Sequence, residues 1–158
     1  MVFGRENGAN KKIESIYRCP GNSPGFLLWQ VNNKWQRKQY EVLKEIGLTH
    51  VQFVLLAGIA WLSDRGQTVT QITLSKFVKA DKMMTSQVVR KLMEKNLVSR
   101  IRNPHDSRSY QLKLTDNGLS LVEISFKKVE SVDRDFFDLL CEEDRRNIVK
   151  ILEKLSNR

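Results

Sequence analysis

Asp81-Lys82-Met83-Met84-Thr85-Ser86-Gln87-Val88-Val89-Arg90-Lys91-Leu92-Met93-Glu94-Lys95-Asn96 is the stretch that decides the fold. Asp81 has the short acceptor side chain of a helix N-cap. Met84, Val88 and Leu92 recur every four residues, with Val89 and Met93 beside them, so the spacing predicts a helix over 82–95 with one apolar face. Lys82, Thr85, Ser86, Gln87, Arg90 and Lys91 are left for solvent or a partner. Asn96 tolerates the left-handed backbone that stops a helix. The chain then alternates through Leu97-Val98-Ser99-Arg100-Ile101-Arg102, and again from Tyr110 to Leu114. Between these runs Asn103-Pro104-His105-Asp106-Ser107-Arg108 is dense in turn residues, which predicts a β-hairpin with a polar, basic loop.

Upstream, Thr70 or Gln71 opens a brief helix through Ile72, Leu74 and Phe77. Thr68-Val69-Thr70 reads as a short strand after the turn Asp64-Arg65-Gly66. A helix over about 50–63 is apolar nearly all round and therefore buried. Thr49 and Gln52, three residues apart, form its capping box. From Phe26 another helix runs to Gly47, with Leu28, Val31, Trp35, Val42 and Ile46 near one face and Asn33, Lys34, Arg37 and Lys44 on others. Downstream, Thr115 caps a long helix over 116–139 with core positions Val122, Phe126, Val129, Phe136 and Leu140. A last helix over 142–156 carries Ile148, Ile151, Leu152 and Leu155. Residues 1–22 are polar, hold Gly4, Gly8, Pro20 and Gly21, and read as a flexible tail.

At 158 residues the chain makes one domain or one domain with an appendage. Its longest apolar run, Phe53 to Leu62, is too short to span a bilayer, so no membrane partner is expected. The first residues lack the pattern of a signal peptide, and the expected compartment is the cytoplasm, at the nucleoid. Two cysteines, Cys19 and Cys141, build neither a disulfide framework nor a four-cysteine zinc site. His50 and His105 lie far apart in the chain, so no metal and no cofactor are expected. There is no glycine-rich phosphate loop, G-x-S-x-G or H-E-x-x-H, which argues against an enzyme.

The formal net charge is +9, and its distribution carries the information. Residues 70–113 hold 10 basic and 3 acidic residues, whereas residues 114–158 hold 8 basic and 10 acidic. The excess falls on the segment of the two short helices and the hairpin, as expected for a surface that faces phosphates. A short helix, a tight turn, a second helix with a polar N-terminal half and a basic hairpin form a winged helix-turn-helix, and double-stranded DNA is the expected partner. Such a recognition helix buries one face and presents the other to a major groove. Thr85, Ser86 and Gln87 have the chemistry to bond base edges, and Arg90 and Lys91 to reach bases or phosphates. Lys82, Arg102, His105 and Arg108 complete the expected DNA-binding set, with Arg108 over the adjacent backbone or minor groove.

Leu92, Val98 and Arg100, then Asn103 to Arg108, then Leu114-Thr115-Asp116-Asn117-Gly118, resemble the MarR family of bacterial transcription regulators. The Asp106-x-Arg108 of the wing and the Leu-Thr-x-x-Gly that follows it are the most specific marks, and Leu48-Thr49-x-x-Gln52-Phe53 also fits. The resemblance covers about residues 24–156. It implies a mainly α fold with a small β-wing, the winged helix-turn-helix at 47–115, a dimerisation helix at 23–46 and further dimerisation helices at 116–158. It implies a homodimeric repressor, or less often an activator, on a pseudo-palindromic operator. It also implies an affinity tuned by a small aromatic effector or by oxidation. By position, Arg108 reaches the minor groove, and Asp106 shapes the wing by pairing with Arg100 or Arg108. Ser86, Gln87 and Arg90 face bases, while Thr85 and Lys91 fix the helix on phosphates. An effector pocket falls at Trp29, Asn33, His50 and Phe53. Gln87 stands where the family often has arginine, so base preference does not transfer. Asn96 replaces the usual glycine and keeps the turn. Cys19 lies six residues before the place of the sensing cysteine in peroxide-responsive relatives, so it reads as an incidental thiol and Cys141 as structural. Two alternatives remain at this point: a winged-helix protein-interaction module without an operator, and a redox-sensing regulator acting through Cys19.

Overall fold

The computed structural model of the chain describes residues 16–17, 19–103 and 106–157. In order, the chain forms α1 (Pro24–Lys44), α2 (His50–Asp64), α3 (Gln71–Phe77), α4 (Lys82–Glu94), β1 (Val98–Asn103), β2 (Asp106–Leu114), α5 (Asp116–Phe137) and α6 (Glu142–Ser156). The expected tail falls mostly on residues outside those described; within it Pro20–Asn22 forms a short 3-10 turn. The backbone divides into two units, residues 1–34 and 35–158. In the first, α1 starts with Pro24, whose missing N–H costs nothing there, and Ser23 Oγ accepts the Phe26 N–H at 3.3 Å.

Local chemistry starts and stops the helices of the second unit. Thr49 Oγ1 accepts the Gln52 N–H and Gln52 Oε1 accepts the Thr49 N–H. Thr70 and Thr73 form a second reciprocal pair at the start of α3. Asp81 Oδ1 takes two N–H groups of α4, from Met83 at 2.8 Å and Met84 at 2.9 Å. Each such cap is worth about 1 kcal/mol. Helices α1 to α4 all close in the same way. A left-handed residue (Gly47, Gly66, Lys79 or Asn96) is followed by an N–H that reaches back five residues: Leu48 to Leu43, Gln67 to Leu62, Ala80 to Ser75, Leu97 to Leu92.

The expected strand at Thr68–Thr70 does not form. Val69 keeps one sheet-like bond, its carbonyl accepting the Leu112 N–H at 2.7 Å, while the Thr70 side chain is spent on capping α3. The hairpin, by contrast, is longer than expected. β1 and β2 pair antiparallel from Val98↔Leu114 to Arg102↔Tyr110, and a register shift after Arg102 brings Asn103 opposite Asp106. Most of the expected loop is therefore strand, and the connection is Pro104-His105, which lies outside the described residues.

Helix α2 is the centre of the core. Phe53, Leu55, Leu56, Ile59 and Leu62 are buried on it, and it packs against α3, α4, α5 and β2. Leu43, Leu74, Val89, Leu92, Val98, Leu112, Val122 and Val129 complete the same cluster. The start of α5 is locked to the end of α4. Thr115 donates its N–H to Leu97 O and its hydroxyl to Asn96 O, and accepts the Gly118 N–H at 3.0 Å. A β-carbon on Gly118 would lie 2.0 Å from the Leu97 carbonyl oxygen.

Helix α5 is tied to the 35–44 part of α1 by a part-buried polar cluster. Trp35 Nε1 and Gln39 Nε2 both donate to Asp133 Oδ1, at 2.7 and 2.8 Å. His50 meets Trp35 edge-on with centroids 4.8 Å apart. Burial lowers the His50 pKa from its ordinary value, and the Asp133 carboxylate partly offsets that. Helix α6 departs from expectation: none of its residues is buried, and Ile151, Leu152 and Leu155 are exposed. Its C-terminal end is held by Lys79, whose ammonium donates to the Ser156 carbonyl, to Ser156 Oγ and to Asn157 Oδ1.

Two outcomes follow. Gly118→Ala, which gains about 1 kcal/mol in an open helix, here lowers stability in a urea melt by about 2 kcal/mol, because the methyl meets backbone. His50 in the folded chain binds its proton at lower pH than in the unfolded chain. The His50 contribution to stability is therefore level above about pH 6.5 and falls as pH drops from there towards the lowered folded pKa. Asp133→Asn removes the offsetting attraction, so His50 titrates at still lower pH by NMR; an upward move in that variant would refute this account.

Candidate nucleic-acid interface

Helix α4 divides into two rows of side chains. Thr85, Val89 and Leu92, at intervals of four and three, are buried. Met83, Gln87 and Arg90 repeat those intervals two residues earlier. Two residues turn the helix by about 200°, so this row runs along the opposite crest. Lys82, Ser86 and Lys91 flank it, all exposed. Thr85 corrects the sequence reading. It is fully buried, and its hydroxyl donates to the Asp81 carbonyl at 2.8 Å, so it faces the core and not a partner. Met84 and Val88, expected at the centre of the apolar face, are only half-buried, because that face is turned one residue further along the helix. Met83 is the residue the sequence reading missed. Its spacing to Gln87 and Arg90 was the signal that placed it on their side.

Among the described residues, the ion pairs are Lys128–Glu45, Arg145–Asp138 and Arg146–Glu142. None takes up Lys82, Arg90, Lys91 or Arg102. On the wing, Val98, Arg100 and Arg102 share one face with Leu114, Leu112 and Tyr110. Val98 and Leu112 are buried at its base. Further out, the Arg100 guanidinium lies 3.8 Å from the Tyr110 ring centroid, a cation–π contact. Arg102 is exposed. Asp106 and Arg108 lie on β2, and His105 falls outside the described residues.

Of the four residues expected to line an effector pocket, Phe53 borders a cavity of about 500 Å³ with Val54, Ala57, Trp61, Phe126 and Asp133. His50 neighbours Phe53, with ring centroids 6.4 Å apart, and Phe53 meets Phe126 edge-on at 5.6 Å. Trp29 and Asn33 belong to the first unit, where Trp29 stacks on Phe26. Cys19 and Cys141 are both exposed; Cys141 Sγ donates to Asp144 Oδ2 at 3.2 Å. No described helix is long and apolar enough to cross a membrane.

The MarR family model matches residues 48–110, from the start of α2 through the wing. YdcH of Bacillus subtilis, an uncharacterised HTH-type transcriptional regulator, is 46% identical over 123 residues, which span 78% of this chain and 84% of YdcH. A mutant of MarR from Escherichia coli complexed with operator DNA superposes with a TM-score of 0.75 at 26% identity, over 83% of this chain and 91% of that one. BpsR of Bordetella bronchiseptica, whose DNA binding is regulated by 6-hydroxynicotinic acid, superposes with a TM-score of 0.79 at 25% identity, over 87% and 96%. The winged helix-turn-helix fold is thus shared with these solved regulators, and the chain belongs to the MarR family of winged helix-turn-helix, DNA-binding transcriptional regulators.

Proposed function

We propose that the protein is a homodimeric repressor that binds a pseudo-palindromic operator and is released by a small aromatic effector. The observation that carries the reading is the division of α4. One row is sunk in the core, and the opposite crest carries hydrogen-bonding and cationic groups that no ion pair among the described residues uses. Set in a major groove, the crest brings Ser86 and Gln87 to base edges and Arg90 to a base or a phosphate. Lys82, Lys91 and Arg102 contact phosphates. His105 and Arg108, at the end of the hairpin, lie over the adjacent backbone or minor groove, and Asp106 shapes that turn.

The dimer is supported by α6. Ile148, Ile151, Leu152 and Leu155 form a helical stripe in which, among the described residues, Ile148 is half-buried and the other three are exposed. Such a stripe calls for a cover, and a second copy supplies one with the two-fold symmetry an inverted repeat requires. The effector is supported by the cavity beside Phe53 and Phe126, apolar and of a size that suits a small aromatic ring, and by the regulation of the related BpsR.

Selection from random duplexes, with sequencing of the bound fraction at two salt concentrations, tests the reading. The expected result is an inverted repeat with half-sites about one helical turn apart and a log–log salt slope of about −0.9 per phosphate contact. Binding without an enriched sequence, or without salt dependence, would remove the operator. Arg108→Ala weakens binding to every sequence alike, whereas Gln87→Ala alters preference at one base position. Leu155→Glu puts a charge on the α6 stripe; sedimentation then reports monomers and operator affinity falls, while a variant that stays dimeric would move the interface elsewhere.

A further inference from the structure

Met83 is 71% exposed, the most exposed large apolar side chain between α3 and the end of the wing. It occupies the second position of α4, where its own N–H is held by Asp81 at 2.8 Å, so the helix start that carries it is fixed. It heads the crest that continues through Gln87 and Arg90. In a helix docked in a major groove, the N-terminal residues come to the base edges. Glu94, on the same crest one turn past Arg90, is repelled by phosphates and keeps the C-terminal end outermost.

At base level the major groove offers acceptors, donors and one apolar group, the C5 methyl of thymine. The Met83 side chain has no hydrogen-bond donor, and its unbranched thioether adapts to an apolar partner. Gln87, one turn further along the crest, has the amide that bonds adenine at N6 and N7.

We infer that Met83 is a specificity-determining residue that reads a thymine methyl in each half-site, on a base pair adjacent to the one contacted by Gln87. The inference rests on α4 being the recognition helix, as proposed above.

Replacing single thymines of the selected operator by uracil tests it, because the exchange removes one methyl and leaves base pairing unchanged. Burial of one methyl is worth about fourfold in affinity. The expected result is one thymine per half-site at which the wild-type protein binds the uracil duplex about fourfold more weakly. Met83→Ala loses that difference and keeps its response to changes at the Gln87 position; Met83→Leu retains the difference. The side chain is exposed, so neither substitution disturbs the core. Equal thymine-to-uracil ratios for Met83→Ala and wild type at every position would overturn the inference. So would a selected operator in which no thymine is uracil-sensitive, and that outcome leaves the recognition-helix reading intact. Failure of the wild-type protein to select any sequence would remove both.

Discussion

The closure of α4 onto α5 at Asn96-Leu97 and Thr115–Gly118 is the constraint on which the winged helix-turn-helix depends. Four groups meet there within hydrogen-bond distance. The left-handed Asn96 turns the chain out of α4, and the Leu97 carbonyl accepts from Thr115. The Thr115 hydroxyl bridges Asn96 to the first turn of α5. No side chain fits at Gly118, because α5 rests directly on the backbone of Leu97. The base of the wing, the end of α4 and the start of α5 therefore meet at one junction. This gives a physical reason for the Leu-Thr-x-x-Gly pattern: the threonine serves both sides of the junction, and the glycine permits the approach.

A second connection runs through the helix-turn-helix itself. Lys79 holds a left-handed backbone between α3 and α4 and donates to the carbonyl end of α6. A cation at a helix C-terminus is favoured by the exposed carbonyls and the helix dipole, so the lysine offsets there some of what its backbone costs. Trp35 and Gln39 hold the opposite end of α5 through Asp133. The long helix is thereby gripped at both ends, once by backbone contact and once by a part-buried polar cluster, with α2 filling the space between.

Most of this architecture was legible in the sequence because the signals were local. Thr49 with Gln52, Asp81, Asn96 and Thr115 each act within three or four residues, and each marks its boundary. The errors share a different cause. Thr85 looks polar, yet its hydroxyl finds a carbonyl one turn back, and its methyl then packs as a small apolar group. Thr68–Thr70 has strand propensity, but the N-cap of α3 claims Thr70 first. The hairpin loop was read as too long because turn-forming residues also tolerate the paired backbone around a register shift. The stripe on α6 was recognised correctly as apolar, but periodicity records only that a face wants cover. It is silent on whether the cover belongs to the same chain. Of the expected pocket residues, His50 and Phe53 are neighbours because they lie three apart on α2, a local relation, while Trp29 and Asn33 belong to the other unit.

The arrangement of charge on α4 bears on how affinity and specificity are divided. The crest's first two members, Met83 and Gln87, are uncharged, with Ser86 beside them, while Lys82, Arg90 and Lys91 stand around them. Cations attract every duplex alike, since phosphates carry no sequence information. Neutral groups gain nothing from a phosphate and must find a matching base edge, or else lose their hydration for no return. In the docking of α4 proposed above, the neutral leading residues decide where the helix binds, and the cations beside and beyond them set how tightly it is held. On that reading a change in salt scales affinity across sequences without reordering them.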